Sequence, residues 1–283
     1  MRNFLSVRVL PFLKINLLIL PIIAASLIWD YFVPLAISYV CALAHELAHI
    51  AIARMSGIKV SYIELQPFGV CARLKSDIIE KPTSEILIAL AGPLFSLLLA
   101  SAGHFSGKAS SYFVYCNFAT AVVNLLPVLP LDGGRVMRAA LTLKMGAVAA
   151  YNTAVKVSRI PLAVIALISI YAIITAQFNF SLILIGAFLL GNLFAEQHNI
   201  SRQAVREMLH YKEKLKPAEM SRATILCADK STPARKILPL LSYNRYHIIH
   251  ITNDEMKVVK TVTEGQLLEA ISKRGIRVTL GEI

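Results

Sequence analysis

The chain has 283 residues, of which 56% are hydrophobic and only 16% are charged. Soluble domains have about 25% charged residues, so this composition excludes an ordinary soluble protein and indicates a membrane protein. The net charge of +12 would suit either nucleic acid or anionic lipid. Because the basic residues separate apolar runs and do not form one basic and aromatic patch, we expect the lipid bilayer as partner and no direct nucleic acid partner.

The apolar runs predict an α-helical polytopic membrane protein with six transmembrane helices. No small-residue cleavage site follows the first run, so we expect no signal peptide. The four cysteines lack CxxC spacing, which argues against a disulfide framework. The predicted spans cover about residues 13–28, 34–55, 84–103, 111–126, 160–175 and 180–193.

The charges of the connecting loops predict the orientation of these spans. If Met1 is cytoplasmic, the only basic residue in the external loops is Lys108. Both termini are then cytoplasmic. The basic residues on the cytoplasmic side are Arg54, Lys59, Arg73, Lys75 and Lys81 after the second span, and Arg135, Arg138, Lys144, Lys156 and Arg159 after the fourth.

A His-Glu-x-x-His motif lies inside the second predicted span. On a helix, His45 and His49 are one turn apart on the same face, so their imidazoles could hold one zinc ion. Glu46 lies close enough to that face to act as general base and acid on water. Two core histidines with ordinary hydrogen bonds are the structural alternative. Ionisable groups are costly in lipid, which favours the metal site.

A second motif follows the fourth predicted span, where two prolines and two glycines interrupt an apolar segment between Asn124 and Arg135. Irregular backbone at membrane depth is tolerated where protein buries it or water reaches it. Asp132 lies in this break and is our candidate for the third metal ligand, which would leave a fourth position open for catalysis. The alternative is that Asp132 caps a helix through residues 137–139.

Two further segments alternate apolar and polar residues in the pattern of strands. Residues 58–65 and 70–75, with a Gln-Pro-Phe-Gly turn between them, predict a membrane-associated β-hairpin at about residues 58–75. A connecting loop is the alternative. The free edge of such a hairpin could hold a substrate segment as an added strand.

The composition becomes soluble after the last predicted span. We predict an intramembrane domain over residues 1–197, a helical linker over 198–216 and an α+β module over 217–283 with the order βαββα. So small a module is marginal alone, so we expect it to pair with a second copy or a partner. His247 and His250 lie on opposite faces of one predicted strand, and we interpret them as structural.

Together, the His45–His49 motif and the Asn-x-x-Pro-x-x-Pro-Leu-Asp-Gly segment from Asn124 to Gly133 closely resemble those of site-2-type intramembrane zinc metalloproteases, peptidase family M50B. The resemblance implies that His45, His49 and Asp132 bind one zinc ion and that Glu46 is catalytic. It also implies that Asn124 contacts the substrate or its oxyanion. The structural alternative for Asn124 is a cap on the broken helix.

The six spans followed by one module similar to a CBS (cystathionine-β-synthase) domain resemble a sporulation subgroup of that family. That resemblance implies cleavage of a membrane-associated pro-sigma factor, a location in the membrane around the forespore, and inhibitory membrane partners. CBS modules imply binding of ATP or another adenine nucleotide, and a homo-oligomer formed through the module. Three alternatives stay open: a general site-2 protease acting on anti-sigma factors or signal-peptide remnants, a zinc transporter, and an inactive zinc-binding scaffold.

Overall fold

A computed structural model describes residues 6–10, 13–66, 69–74, 82–174, 191, 222–241, 245–253, 255–275 and 277–283. Within these residues, the protein is mainly helical and has two small sheets. It divides into two compact units. The first comprises the described parts of Met1–Ile79, Thr83–Leu126 and Leu131–Val136, and the second those of Glu80–Pro82, Pro127–Pro130 and Met137–Ile283.

The first unit contains a four-stranded sheet in the order β1 (Ser6–Leu10), β2 (Leu13–Asn16), β3 (Val60–Gln66) and β4 (Gly69–Leu74). β2 runs parallel to β3, and the other two pairs are antiparallel. β3 and β4 form a hairpin at the place where the sequence alternates, and Gln66 pairs with Gly69 at its closed end. β4 is therefore an edge strand of the sheet.

The predicted first span is wrong in its N-terminal part. Residues 13–16 form β2, and the apolar helix that follows, α1, covers only Ile19–Ile28. Two local features account for the difference. Lys14 and Asn16 alternate with apolar residues, as in a strand. Pro21 lies in the first turn of α1, where a missing backbone N–H costs little because the helix makes no use of it.

Three of the described helices are long and apolar enough to cross a membrane. They are α2 (Phe32–Met55), α3 (Pro82–Ser106) and the Ala147–Ile168 part of α6 (Ala147–Ile174). These helices mark the chain as a membrane protein. Helix α4 (Ser111–Asn124) has 14 residues, so its length is only about 21 Å. The prediction of six spans is therefore not reproduced within the described residues.

Helices α5 (Asp132–Met145) and α6 follow the irregular segment. We predicted that the fifth span begins near residue 160, but α6 begins thirteen residues earlier, at Ala147. The buried residues of its first half recur at helical spacing, so packing extends the helix toward the N-terminus. These buried residues are Ala147, Val148, Ala150, Tyr151, Ala154, Val155 and Ser158.

The C-terminal module has the predicted order: β5 (Arg222–Asp229), α7 (Ala234–Ile237), β6 (Arg245–Thr252), β7 (Val258–Thr263) and α8 (Glu264–Arg274). β6 lies between a parallel β5 and an antiparallel β7. A capping box formed by Thr263 and Gln266 begins α8. The core holds apolar residues of this module and two from the start of α6, Ala147 and Val148.

Several predictions lie outside the described residues. They are the sixth span at residues 180–193 and the linker at residues 198–216. The CBS-like identity of the C-terminal module, its binding of a nucleotide and its pairing with a second copy stay predictions.

Candidate active site

The site begins with two histidines that α2 carries one turn apart. His45 and His49 are 4% and 7% exposed, and they belong to the buried side of the helix. Their Nε2 atoms are 3.1 Å apart, and the two rings meet edge to face. The i, i+4 spacing of the motif thus brings two ring nitrogens to one point.

Asp132 adds a carboxylate oxygen to the same point. Its Oδ2 atom is 3.2 Å from His45 Nε2 and 3.1 Å from His49 Nε2. Asp132 is the first residue of α5, and it precedes a glycine that lies against the end of α4. A Cβ atom on Gly133 would collide with the backbone of Leu125 and Leu126. The absence of a side chain at residue 133 therefore lets α5 begin directly against the end of α4, next to Asp132.

These three ligand atoms fit a zinc ion. Among the described residues, His45, His49 and Asp132 form the one group of three possible metal ligands. A tetrahedral zinc with ligands at about 2.0–2.1 Å requires ligand atoms about 3.3 Å apart. The three observed separations are 3.1, 3.1 and 3.2 Å. A cation bound among the three atoms would contact all of them at once.

Helix α3 holds the far side of both imidazoles. Nδ1 of His49 is 2.6 Å from the carbonyl oxygen of Ile88, and Nδ1 of His45 is 3.0 Å from Oγ of Ser96. A carbonyl oxygen only accepts hydrogen bonds, so Nδ1 of His49 carries a proton, and Nε2 is the nitrogen that would bind a metal. Such outer contacts fix the orientation of metal-binding histidines.

Gly92 lies between these two contacts on the same face of α3. A Cβ atom at this position would lie 2.7 Å from His45 Nε2 and closer still to His49 Nε2. A side chain here would enter the metal site. Gly92 and Pro93 lie in the middle of the third predicted span, and helix breakers there predict a kink or a close helix approach but no chemistry. The structure shows the close approach, and it brings Gly92 against the rings of His45 and His49.

A second group of charges holds the Asp132 carboxylate. Nη1 of Arg135 is 3.2 Å from Asp132 Oδ1, and Nε of Arg135 is 3.9 Å from Oε1 of the buried Glu85. Burial raises the pKa of the Asp132 carboxyl. Hydrogen bonds with the two histidines and the charge of Arg135 outweigh this and hold its pKa below the ordinary value. The carboxylate is therefore ionised, as a zinc ligand must be.

The carboxylate of Glu46 faces the hairpin. Its Oε2 atom accepts a hydrogen bond of 3.1 Å from the backbone N–H of Ala72 in β4. Glu46 is half-buried and is adjacent in sequence to His45. The candidate base is thus fixed by the neighbouring strand rather than by one of the three ligand residues.

Asn124 is the last residue of α4, and its side-chain amide donates to the carbonyl oxygen of Thr120 at 2.9 Å. This bond ties the side chain to its own helix, in line with the structural alternative. Its predicted contact with substrate or oxyanion stays a prediction. The Asp132 carboxylate, by contrast, makes its hydrogen bonds to side chains of His45, His49 and Arg135, so the described contacts do not give it a capping bond.

Sequence reasoning missed the contribution of α3. Ile88, Gly92 and Ser96 recur at intervals of four residues, which places them on one helix face. A small residue in the middle of such a face signals close approach to another element. The small residue alone does not show which element lies against this face of α3.

Comparison with known proteins shows what this geometry is similar to. The family model described as Peptidase family M50 matches residues 34–109 and 106–168, a region that contains both metal motifs. Over these residues the chain resembles peptidase family M50. Its matched region includes α2, α3 and the start of α5, which carry all three candidate ligands.

Relatives within the family are similar over part of the chain. Zinc metalloprotease MJ0392 of Methanocaldococcus jannaschii is 36% identical over 118 residues, which cover 38% of this chain and 34% of the relative. Stage IV sporulation protein FB of Bacillus subtilis is 29% identical over 140 residues, which cover 47% of this chain and 46% of the relative. The chain thus spans less than half the length of these curated relatives.

A solved structure shares the fold. The site-2 protease from Methanocaldococcus jannaschii superposes with a TM-score of 0.52 at 23% sequence identity. The match covers 68% of this chain and 94% of that one. The predicted resemblance to site-2-type proteases of family M50 is therefore confirmed, and the protein has the site-2 protease fold.

Proposed function

We propose that the chain is an intramembrane zinc metalloendopeptidase. The observation that carries this proposal is the convergence of His45 Nε2, His49 Nε2 and Asp132 Oδ2 within a family M50 region. Bound zinc would supply Lewis-acid activation of water and of a peptide carbonyl. Two histidines and one carboxylate leave a coordination position for the reacting groups, as in catalytic rather than structural zinc sites.

Glu46 is the proposed general base and acid. It takes a proton from the attacking water and delivers one to the amine that leaves when the C–N bond of the peptide breaks. Its place next to His45 in sequence supports this role, as does its side chain, the one carboxylate of the His-Glu-x-x-His motif. Asn124 is the proposed contact for the substrate carbonyl or its oxyanion.

The substrate is a membrane-associated protein whose cleaved segment is extended. A protease needs its substrate backbone unwound, and the free edge of β4 can supply pairing to such a segment. The proximity of this edge to the site supports the idea, because the Ala72 N–H of β4 contacts Glu46 directly.

A pro-sigma factor is the proposed substrate, processed near the cytoplasmic leaflet during sporulation. The similarity to stage IV sporulation protein FB supports this choice. MJ0392, another relative, is described only as a zinc metalloprotease, so the similarities also suit a general site-2 protease. The loop charges support cytoplasmic termini, and with them a site open to the cytoplasm.

Cleavage of reconstituted substrates tests the proposal. The full chain in liposomes would be given a pro-sigma factor with its membrane-associated pro-sequence or, separately, a single-span anti-sigma factor. We expect the pro-sigma factor to be cleaved faster than the anti-sigma factor. Glu46→Gln should lower cleavage by about 10²–10⁴-fold and leave the zinc content unchanged. Faster cleavage of the anti-sigma factor would contradict the choice of substrate.

The matched control is Glu269→Gln, because Glu269 is an exposed glutamate of the C-terminal module that pairs with Lys273. We expect this variant to cleave at the wild-type rate. If Glu46→Gln also cleaved at the wild-type rate, the proposed role of Glu46 would be wrong. A zinc transporter or an inactive scaffold would show no cleavage in any arm.

A further inference from the structure

The hydrogen bond between Glu46 and Ala72 lies on the outer edge of the sheet. Among the described strands, β4 pairs with β3 alone, and Ala72 is opposite Ile63 in that pairing. In an antiparallel pair, the backbone groups of successive residues point alternately toward the partner strand and away from it. The Ala72 N–H donates to Glu46, so it points away from β3. Val70 lies two residues before Ala72 in β4, so its N–H also points to the outer edge.

We propose that the backbone N–H of Ala72 is a positioning group for Glu46, and that a bound substrate strand takes this N–H over and releases the carboxylate. The inference rests on the proposed protease function and on strand addition to β4. It adds a mechanism by which occupation of the hairpin edge would control the catalytic glutamate.

The competition follows from donor capacity. A backbone N–H has one hydrogen, and at full strength it serves one acceptor. A substrate strand that pairs along β4 needs outward N–H groups for its carbonyl oxygens, and Ala72 carries one of them. Within the described residues, the Ala72 N–H is also the one hydrogen-bond donor to the Glu46 carboxylate. Strand pairing at Ala72 and the resting contact of Glu46 therefore exclude each other.

This exchange has a chemical consequence. Before substrate binds, the hydrogen bond from Ala72 holds the Glu46 carboxylate against β4. After the substrate carbonyl replaces it, the carboxylate is free to accept a proton from water. The base would thus become available when a peptide bond is in place.

Amide-resolved hydrogen exchange tests the contact without requiring activity. In the full chain in detergent micelles, we expect Glu46→Ala to raise the exchange rate of the Ala72 amide about tenfold. Glu46→Gln should retain most of the protection, because its side-chain oxygen still accepts. The Val70 amide serves as the internal control and should not change. Equal Ala72 exchange in the wild type and in Glu46→Ala would overturn the proposal.

Steady-state cleavage tests the role of the contact. Ala72→Pro removes the N–H that contacts Glu46, and Val70→Pro removes the outward N–H two residues earlier with the same change in backbone. We expect Ala72→Pro to lower kcat at least tenfold with full zinc content, because the substrate carbonyl that should replace the Glu46 contact is then not held beside the carboxylate. The main effect of Val70→Pro should be a higher KM. Equal effects of the two prolines on kcat would show that the edge serves only pairing and would refute the positioning role.

The two measurements separate this inference from the proposed function. If the chain is no protease, no variant cleaves, but the exchange of the Ala72 amide still responds to Glu46→Ala. If the chain is a protease and the inference is wrong, the wild type cleaves and Glu46→Gln does not, while Ala72→Pro behaves as Val70→Pro does.

Discussion

Among the described residues, each compact unit contains a buried histidine in contact with a buried carboxylate. In the first, His49 Nε2 is 3.1 Å from Asp132. In the second, His247 Nδ1 is 3.1 Å from Glu264 in the C-terminal module. The two pairs have the same separation, and both are buried. His49 and Asp132 are each 7% exposed, and His247 and Glu264 are each 1% exposed. Only the first pair has the arrangement of a metal site.

The other contacts of each pair explain the difference. Glu264 Oε2 also accepts the backbone N–H of His247, so both bonds join one strand residue to the first residue of α8. Asp132 Oδ2 instead meets a second imidazole nitrogen, and both histidines have their opposite ring nitrogens turned to α3. A buried histidine–carboxylate pair by itself is therefore explained as a structural contact. A second histidine that meets the same carboxylate oxygen indicates a metal site.

The largest expected effect is at Gly92. Gly92→Ala places a methyl group against both Nε2 atoms, so we expect loss of zinc and of cleavage in the purified protein. The matched change in the other unit is Gly265→Ala, where a Cβ atom would have only Thr263 Oγ1 at 4.0 Å. It should keep full zinc content. Retention of zinc by Gly92→Ala would show that the metal lies elsewhere.

Ser96 should have the next largest effect. Ser96→Ala removes the partner of His45 Nδ1 while the three ligands stay in place. Loss of such an outer contact typically weakens metal binding about 10–100-fold. Competition with a chelator of known affinity would measure the change. Ser106→Ala, at the end of the same helix, is the control, and a similar loss there would argue against a specific role for Ser96.

The smallest effect on metal is expected at His247. His247→Ala removes the imidazole that contacts the buried Glu264 while the backbone N–H of residue 247 stays, and this should lower the stability of the C-terminal module by about 1–3 kcal/mol. The zinc content should equal that of the wild type, because none of the three proposed zinc ligands is changed. Denaturant unfolding followed on the module, together with metal analysis, would check both expectations. Loss of zinc in this variant would remove the distinction between the two pairs.

The sequence predicts the metal site better than the helices that surround it. Helical spacing and an apolar setting single out His45 and His49, and a break rich in proline and glycine singles out Asp132. Length and hydropathy overestimated the first span, because a strand can be apolar too and β2 is held by pairing with β3, which follows some 45 residues later. Such pairing between distant segments leaves no local signal.

The contacts of α3 and β4 were not predictable for the same reason. Gly92 and Ser96 have meaning only once α3 lies against α2, and the Ala72 N–H acquires its role from the edge position of β4. The order of the C-terminal elements was predicted because each has its own alternation, turn or cap, as Thr263 and Gln266 illustrate. Local structure could be predicted from the sequence, whereas contacts between distant elements could not.

The central claim is that His45, His49 and Asp132 hold one zinc ion, and metal analysis tests it most directly. The full chain, purified in detergent and loaded with zinc, should contain about one zinc per chain. His45→Ala, His49→Ala and Asp132→Ala should each lose it, while His247→Ala and Glu269→Gln keep it. Wild-type zinc content and affinity in Asp132→Ala would contradict the account.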